Sequence, residues 1–281
     1  MKNRQLRLYV TVTLAVIVLL YCAVEASANS GDIRATTVLF ASPGNNNVTV
    51  VWNPPFPDTN YIAVCTAEQF PSDFLLPVIT SRSPQSMNIV PTDAFPGGTL
   101  DCIAIPDSDG TDIRHTRAAF TGHPSQVTVP WNPVFTDSNY TAVCTMETQD
   151  YGNGEFTSVI SAKTPDSITV TNGSGFNTGT MHCMAIPDSD ISDVRRGRVT
   201  VSGHPNTVTV PWNQRFANGS YAAVCSDEVP GAMGSDSAIA TYADSKLPAS
   251  VVTIPEIQSG LVDCIAFLTR CAASVVGGCG P

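Results

Sequence analysis

Apolar and polar residues alternate along the chain with a period of two, in short runs. Val127, Val129 and Trp131 fall on one side of such a run while Thr128 and Pro130 fall on the other, which is how a half-buried β-strand reads. Val159-Ile160-Ser161 and Ile168-Thr169-Val170-Thr171 follow the same rule. Between the runs stand turn formers: Asn132-Pro133, Asp137-Ser138-Asn139, Gly152-Asn153-Gly154, Asn172-Gly173-Ser174-Gly175 and Gly203-His204-Pro205. No stretch beyond residue 28 carries a convincing helical period.

The runs recur as a set. Trp52, Trp131 and Trp212 stand 79 and 81 residues apart, inside VTVVWNPPF (48–56), VTVPWNPVF (127–135) and VTVPWNQRF (208–216). Thirteen residues after each Trp comes a Cys, in YIAVC ending at Cys65, YTAVC at Cys144 and YAAVC at Cys225. A Pro-x-Ser phrase follows at Pro84, Pro165 and Pro248, and each copy closes with DCIAI (101–105), HCMAI (182–186) or DCIAF (263–267). Asp32-Ile33-Arg34, Asp112-Ile113-Arg114 and Asp193-Val194-Arg195 open the copies, 80 and 81 residues apart. A period near 80 exceeds the roughly 20–50 residues of solenoid repeats, so each copy reads as a small domain. Six short strands per copy suggest a β-sandwich. The expected fold is therefore all-β: three tandem small antiparallel β-sandwich domains, one intradomain disulfide each, after an N-terminal signal peptide. Their expected bounds are 1–28 for the signal peptide, 29–110, 111–191 and 192–281 for the three repeats, the last with a C-terminal disulfide loop.

Lys2, Arg4 and Arg7 precede an apolar run from Leu8 to Val24 that ends in Ala26-Ser27-Ala28, the small-x-small form of a signal-peptidase site. Bulky Tyr21 speaks against a lipid anchor on Cys22. The mature chain is expected to be secreted, extracellular or at the cell surface, with no membrane span. The whole sequence has 281 residues, 43% hydrophobic and 14% charged, a composition that folds. Its net charge of −10 argues against nucleic acid as a partner, which would need clustered cations.

Of nine Cys, Cys22 leaves with the leader and eight remain. One pair per repeat, Cys65 with Cys102, Cys144 with Cys183 and Cys225 with Cys264, gives intervals of 37, 39 and 39, as repetition of one bridge requires. Closing a loop of that length is worth about 4 kcal/mol in the chain-entropy model. Cys271 and Cys279 are left to close a C-terminal loop. Zinc is not expected, since no Cys-x-x-Cys or Cys/His clamp occurs.

Each Trp shares its strand face with two Val, which favours core packing over an exposed sugar-stacking platform. Asp107, Asp109 and Asp112, and again Asp188, Asp190 and Asp193, space carboxylates alternately, as oxygen-ligand calcium loops do. A solvated turn between repeats, its Asp pairing with nearby Arg114, Arg117, Arg195, Arg196 or Arg198, is the competing reading, and the third repeat replaces this segment with Phe267-Leu268-Thr269-Arg270. No cofactor other than calcium is suggested. Sequons stand at Asn47, Asn139, Asn172 and Asn218. The four His fall in Gly-His-Pro turns (His123, His204), beside a Cys (His182) or opposite an Arg of another copy (His115), and no nucleophile elbow or phosphate loop occurs. The chain is therefore not expected to be an enzyme.

The order VTV-x-W-x-x-x-F, Y-x-AVC, VIS-x-KTP-x-SITV and CMAI resembles the H-type-lectin-like β-sandwich modules of secreted lectins and viral tail fibres, over 48–105, 127–186 and 208–267. The resemblance implies glycan or surface binding, often as trimers. The chain departs from it in its disulfide per repeat and its tandem arrangement, and no binding residue is carried over. The expected function is adhesion to, or recognition of, a glycan or cell surface or an extracellular surface protein. A coat, sheath or filament subunit that self-associates is the alternative.

Overall fold

The computed structural model describes residues 33–40, 47–68, 77–91, 98–109, 113–122, 124, 126–149, 158–172, 177–189, 194–203, 207–230, 242–254, 257 and 259–269. The leader expected over 1–28 lies outside them. All regular elements among these residues are strands, six per repeat. Unit 1 holds β1 (Arg34–Phe40), β2 (Val48–Val51), β3 (Tyr61–Glu68), β4 (Pro77–Arg82), β5 (Ser86–Pro91) and β6 (Gly98–Pro106). Unit 2 repeats them as β7 (Arg114–Thr121), β8 (Gln126–Pro130), β9 (Tyr140–Glu147), β10 (Ser158–Lys163), β11 (Ser167–Asn172) and β12 (Thr178–Pro187). Unit 3 does so as β13 (Arg195–Ser202), β14 (Val208–Pro211), β15 (Tyr221–Glu228), β16 (Tyr242–Leu247), β17 (Ser250–Ile254) and β18 (Ser259–Leu268).

The strands do not close into three separate sandwiches, and the expected tandem architecture is corrected here. Each unit divides its strands three and three between two six-stranded sheets, and every sheet is built from two units. The orders are β1-β6-β3-β16-β17-β14, β2-β5-β4-β9-β12-β7 and β13-β18-β15-β10-β11-β8, so unit 1 joins unit 2, unit 2 joins unit 3, and unit 3 returns to unit 1. The joints are short parallel contacts in otherwise antiparallel sheets: Ile79 with Glu147, Ile160 with Glu228, Ala243 with Glu68. Thr148 N–H and Val229 N–H extend two of them by donating to Ile79 O and Ile160 O, each at 2.8 Å. The physical reason is the open edge. A three-stranded layer leaves β4 and β3 with unpaired backbone groups, and the equivalent strand of the next copy is a ready template for them.

Each unit still has its own core, drawn from both sheets it contributes to. In unit 1 Val48, Val50 and Trp52 meet Ala63, Cys65, Ile89 and Leu100, and units 2 and 3 repeat the set. The opposite faces of β3, β9 and β15 are buried as well, which is why Tyr61–Ala67 is closed to solvent along its whole length. Those faces carry Ile62 and Val64, Val143, and Val224, and they meet where the three units converge with β6, β12 and β18. The second residue of β12 and of β18 is a glycine because the backbone is too close for a side chain: a Cβ on Gly179 would stand 2.8 Å from Glu147 O, and one on Gly260 2.4 Å from Glu228 O.

Candidate functional site: the seams between units

The chemistry of the molecule concentrates where one unit meets the next. At the residue after each first Cys stands a buried hydroxyl, Thr66, Thr145 or Ser226. Each hydroxyl reaches into a neighbouring unit and accepts a backbone N–H there: Thr145 Oγ1 from Cys65 at 2.8 Å, Ser226 Oγ from Cys144 at 3.0 Å, Thr66 Oγ1 from Cys225 at 2.8 Å. Two of them also donate back, to Cys65 O and Cys225 O. The three bonds run head to tail around the molecule. They satisfy amide groups on the inner face of β3, β9 and β15 that would otherwise be buried unpaired.

A second ring lies two residues earlier. Ala63, Ala142 and Ala223 donate their N–H groups to His182 Nδ1 (3.3 Å), Asp263 Oδ2 (3.1 Å) and Asp101 Oδ2 (2.8 Å) of a neighbouring unit. These acceptors are the residues just before each second Cys, all fully buried. A buried carboxylate needs a cation. Lys246 supplies it to Asp101 at 2.9 Å, with Thr37 Oγ1 donating at 2.6 Å. Asp263 receives Lys163 at 3.3 Å and Arg198 Nε at 2.5 Å, and Lys163 also pairs with Glu228 at 2.5 Å. In the seam between units 1 and 2 the acceptor is an imidazole, and the acid moves to Glu147. His182 Nε2 lies 2.8 Å from Glu147 Oε2, and Arg82 grips the same carboxylate with Nε on Oε1 and Nη2 on Oε2, at 3.0 Å each.

Electrostatics follow from these partners. Burial raises the Glu147 carboxyl, but hydrogen bonds from His182 and Arg82 and the electrostatic pull of the same two groups overcome it and hold the group down at about 2. Glu228, at the same position of its unit, goes the other way: burial, with the Asp263 carboxylate beside it, raises it despite Lys163 and Arg198. Burial pushes the His182 imidazole below its ordinary value, against the pull of Glu147. Arg198 is held firmly protonated by Asp263 and Asp188 in spite of its burial.

The same cations cap an aromatic stack in every unit. Phe56 on Tyr61, Phe135 on Tyr140 and Phe216 on Tyr221 stack at 4.4, 4.3 and 4.2 Å between centroids, with the Trp edge-on. Arg82, Lys163 and Lys246 sit over the Tyr faces at 5.4, 5.4 and 5.9 Å. Arg34, Arg114 and Arg195 of the opening phrases sit over the Phe faces at 5.1, 5.6 and 5.4 Å. Each Tyr hydroxyl donates to carbonyls of the Pro-x-Ser turn, as Tyr140 does to Thr164 O and Ser167 O at 3.0 Å. Trp131 Nε1–H donates to that same hydroxyl at 3.1 Å.

The residues singled out from sequence fall as follows. The bonds Cys65–Cys102, Cys144–Cys183 and Cys225–Cys264 are formed between directly opposed residues of neighbouring strands. Cys271 and Cys279 lie outside the described residues. The three Trp are core residues and offer no platform. Asp107 is paired with Arg117 at 2.6 Å, and Asp188 with Arg198 at 2.8 Å and with the Thr141 hydroxyl at 3.0 Å. Asp109 is described. Asp112, Asp190 and Asp193 lie outside, and among the described residues no three ligating groups gather. Asn47, Asn139 and Asn218 are exposed, and Asn172 ends β11. His115 contacts Ile113 O, while His123 and His204 lie outside the described residues.

Sequence reasoning gave no role to the residues that make the seams. Their signal was present: a hydroxyl after each first Cys, an Asp or His before each second Cys, and a cation two residues before each Pro-x-Ser. Among the described residues no helix is long and apolar enough to cross a membrane. No protein-family profile matches the chain, and no curated protein matches it significantly.

Proposed function

We propose that the mature chain is a secreted, non-enzymatic recognition protein that adheres to a glycan or a cell surface through features presented three times. The supporting observation is the cyclic sharing of sheets, which holds three copies of one unit at fixed spacing in a single chain. Weak sites held that way act together, because after the first contact the others bind intramolecularly. The non-enzymatic part of the reading rests on where the repeated acids and cations go: into one another and into backbone amides at the seams. Exposed Asn47, Asn139 and Asn218 would carry glycans on passage through a eukaryotic secretory route.

A glycan array and a cell-surface pull-down with the mature chain test the proposal. Retention that falls steeply when free ligand competes is expected, and no retention on any glycan or surface at high protein concentration overturns it. One observation favours the alternative of an extracellular assembly: each sheet ends in two edge strands, with Leu39 on β1 73% exposed and Val51 on β2 60% exposed. Sedimentation and electron microscopy separate the two, because a stable monomer at high concentration defeats the assembly.

A further inference from the structure

We infer that His182 is an acid-released latch on the seam between units 1 and 2, and that protonating it opens this seam while the other two stay closed. The inference rests on the direction of hydrogen bonds and is independent of what the protein recognises. Ala63 N–H can only donate, so His182 Nδ1, 3.3 Å away, must hold a lone pair. Nε2 then carries the one proton and donates it to Glu147 Oε2 at 2.8 Å. The closed seam thus requires a neutral imidazole of one tautomer. A second proton would have to sit on Nδ1, facing another donor, inside a fully buried site.

The equivalent positions show that the fold does not demand this arrangement. Asp101 and Asp263 accept the matching amides through carboxylate oxygens, with no ring nitrogen whose proton could face the amide. The charged groups around the imidazole come from three strands. Glu147 on β9 attracts a second proton, whereas Arg82 on β4 and Arg117 on β7, itself paired with Asp107, oppose it. From β3 comes the Ala63 amide donor, with Tyr61 near Arg82 and Glu147, and β8 has no ionisable residue. Burial outweighs Glu147 and holds the group below its ordinary value. The sign follows: the latch stabilises fully above about pH 6.5 and is lost as pH falls toward the lower folded value.

Opening the seam also parts the Arg82–Glu147 pair and the backbone contacts beside it. Between these units the sheet is joined at Ile79 and Glu147, the Thr148 amide and the Thr145 hydroxyl, so a closed ring becomes an open arc held by two seams. Hydrogen exchange of the full mature chain between pH 7.5 and 5, corrected for intrinsic rates, tests this. The opening equilibrium at the Ala63 and Cys65 amides is expected to rise about tenfold per pH unit below about 6.5, while the Cys144 and Cys225 amides do not follow. In His182→Asn, whose side-chain oxygen can accept the same amide without titrating, the slope disappears; His115→Asn retains it. An equal acid slope in His182→Asn overturns the inference. Should that variant not fold, imidazole nitrogen NMR of the unaltered protein decides: protonated Nε2 with a titration below 6.5 supports the latch, and protonated Nδ1 or titration at or above 6.5 overturns it.

Discussion

Glu147 and Glu228 end equivalent strands, face equivalent cations on β4-type strands and belong to successive seams, yet acid acts on them in opposite directions. Glu147 has Arg82 and an imidazole around it, so its negative charge is the favoured state and its carboxyl lies at about 2. Glu228 shares Lys163 with the fully buried Asp263, so its charge is burdened by a second acid and its carboxyl is raised. Backbone geometry is the same in both. What differs is the residue before a Cys, His182 in one seam and Asp263 in the other, together with the cation, Arg82 against Lys163. A threefold backbone therefore does not imply threefold energetics, because burial amplifies whatever charge the side chains bring.

That contrast can be broken most strongly at the drier seam. Asp263→Ala would strand the Ala142 amide and take from Lys163 and Arg198 their fully buried partner, leaving them Glu228 and Asp188, and is expected to cost about 3–5 kcal/mol in urea unfolding. Arg82→Met in the other seam leaves a carboxylate that still has some solvent, and about 1–3 kcal/mol is expected. Equal losses would show that burial does not distinguish the two seams. The hydroxyl ring is shared by all seams, so Thr145→Val and Thr66→Val should each cost about 1–2 kcal/mol by leaving a buried amide unpaired, irrespective of the nearby charges. Tyr140→Phe, which removes a bond inside a unit and leaves the seams intact, is expected to lower stability by about 1 kcal/mol without changing the acid response.

The smallest effect is the most direct on the comparison: carboxyl carbon NMR should find Glu147 titrating at about 2 and Glu228 above the ordinary value. In linkage, the stability Glu147 contributes is full above about pH 4.5 and lost as pH falls through about 2. For Glu228 the sign reverses, and its contribution is present below about 4.5 and lost as pH rises through its raised value. Indistinguishable titrations would remove the contrast between the seams.

Much of each unit was legible before any coordinates. The alternation around Val127, Val129 and Trp131 placed the indole inside, and the structure has it there. The intervals between Cys named three bridges that are formed. The opening Arg residues were read as markers and as candidate partners of the Asp clusters, and nothing along the chain brings Arg114 to the face of Phe135. Asp107 and Asp188 were read by spacing either as ligands or as part of a solvated turn pairing with nearby Arg, and they are found against Arg117 and Arg198. The division into separate sandwiches failed for a specific reason. When three copies carry the same strand pattern, β4 has equal sequence claim to an edge in its own unit and to the equivalent edge of the next.

Sequence by itself determined the strands, their inward faces, the repeat and the pairing of sulfurs, because each depends on residues related by local period or by repetition. Only the tertiary structure decided that the copies interlock, and that Thr145, His182 and Asp263 spend their polar groups on a neighbouring unit's backbone. Those bonds join residues some 80 to 120 positions apart, where identical copies offer identical partners. The choice among them is made by buried amides and charges that must be satisfied somewhere, and that is settled only when the ring closes.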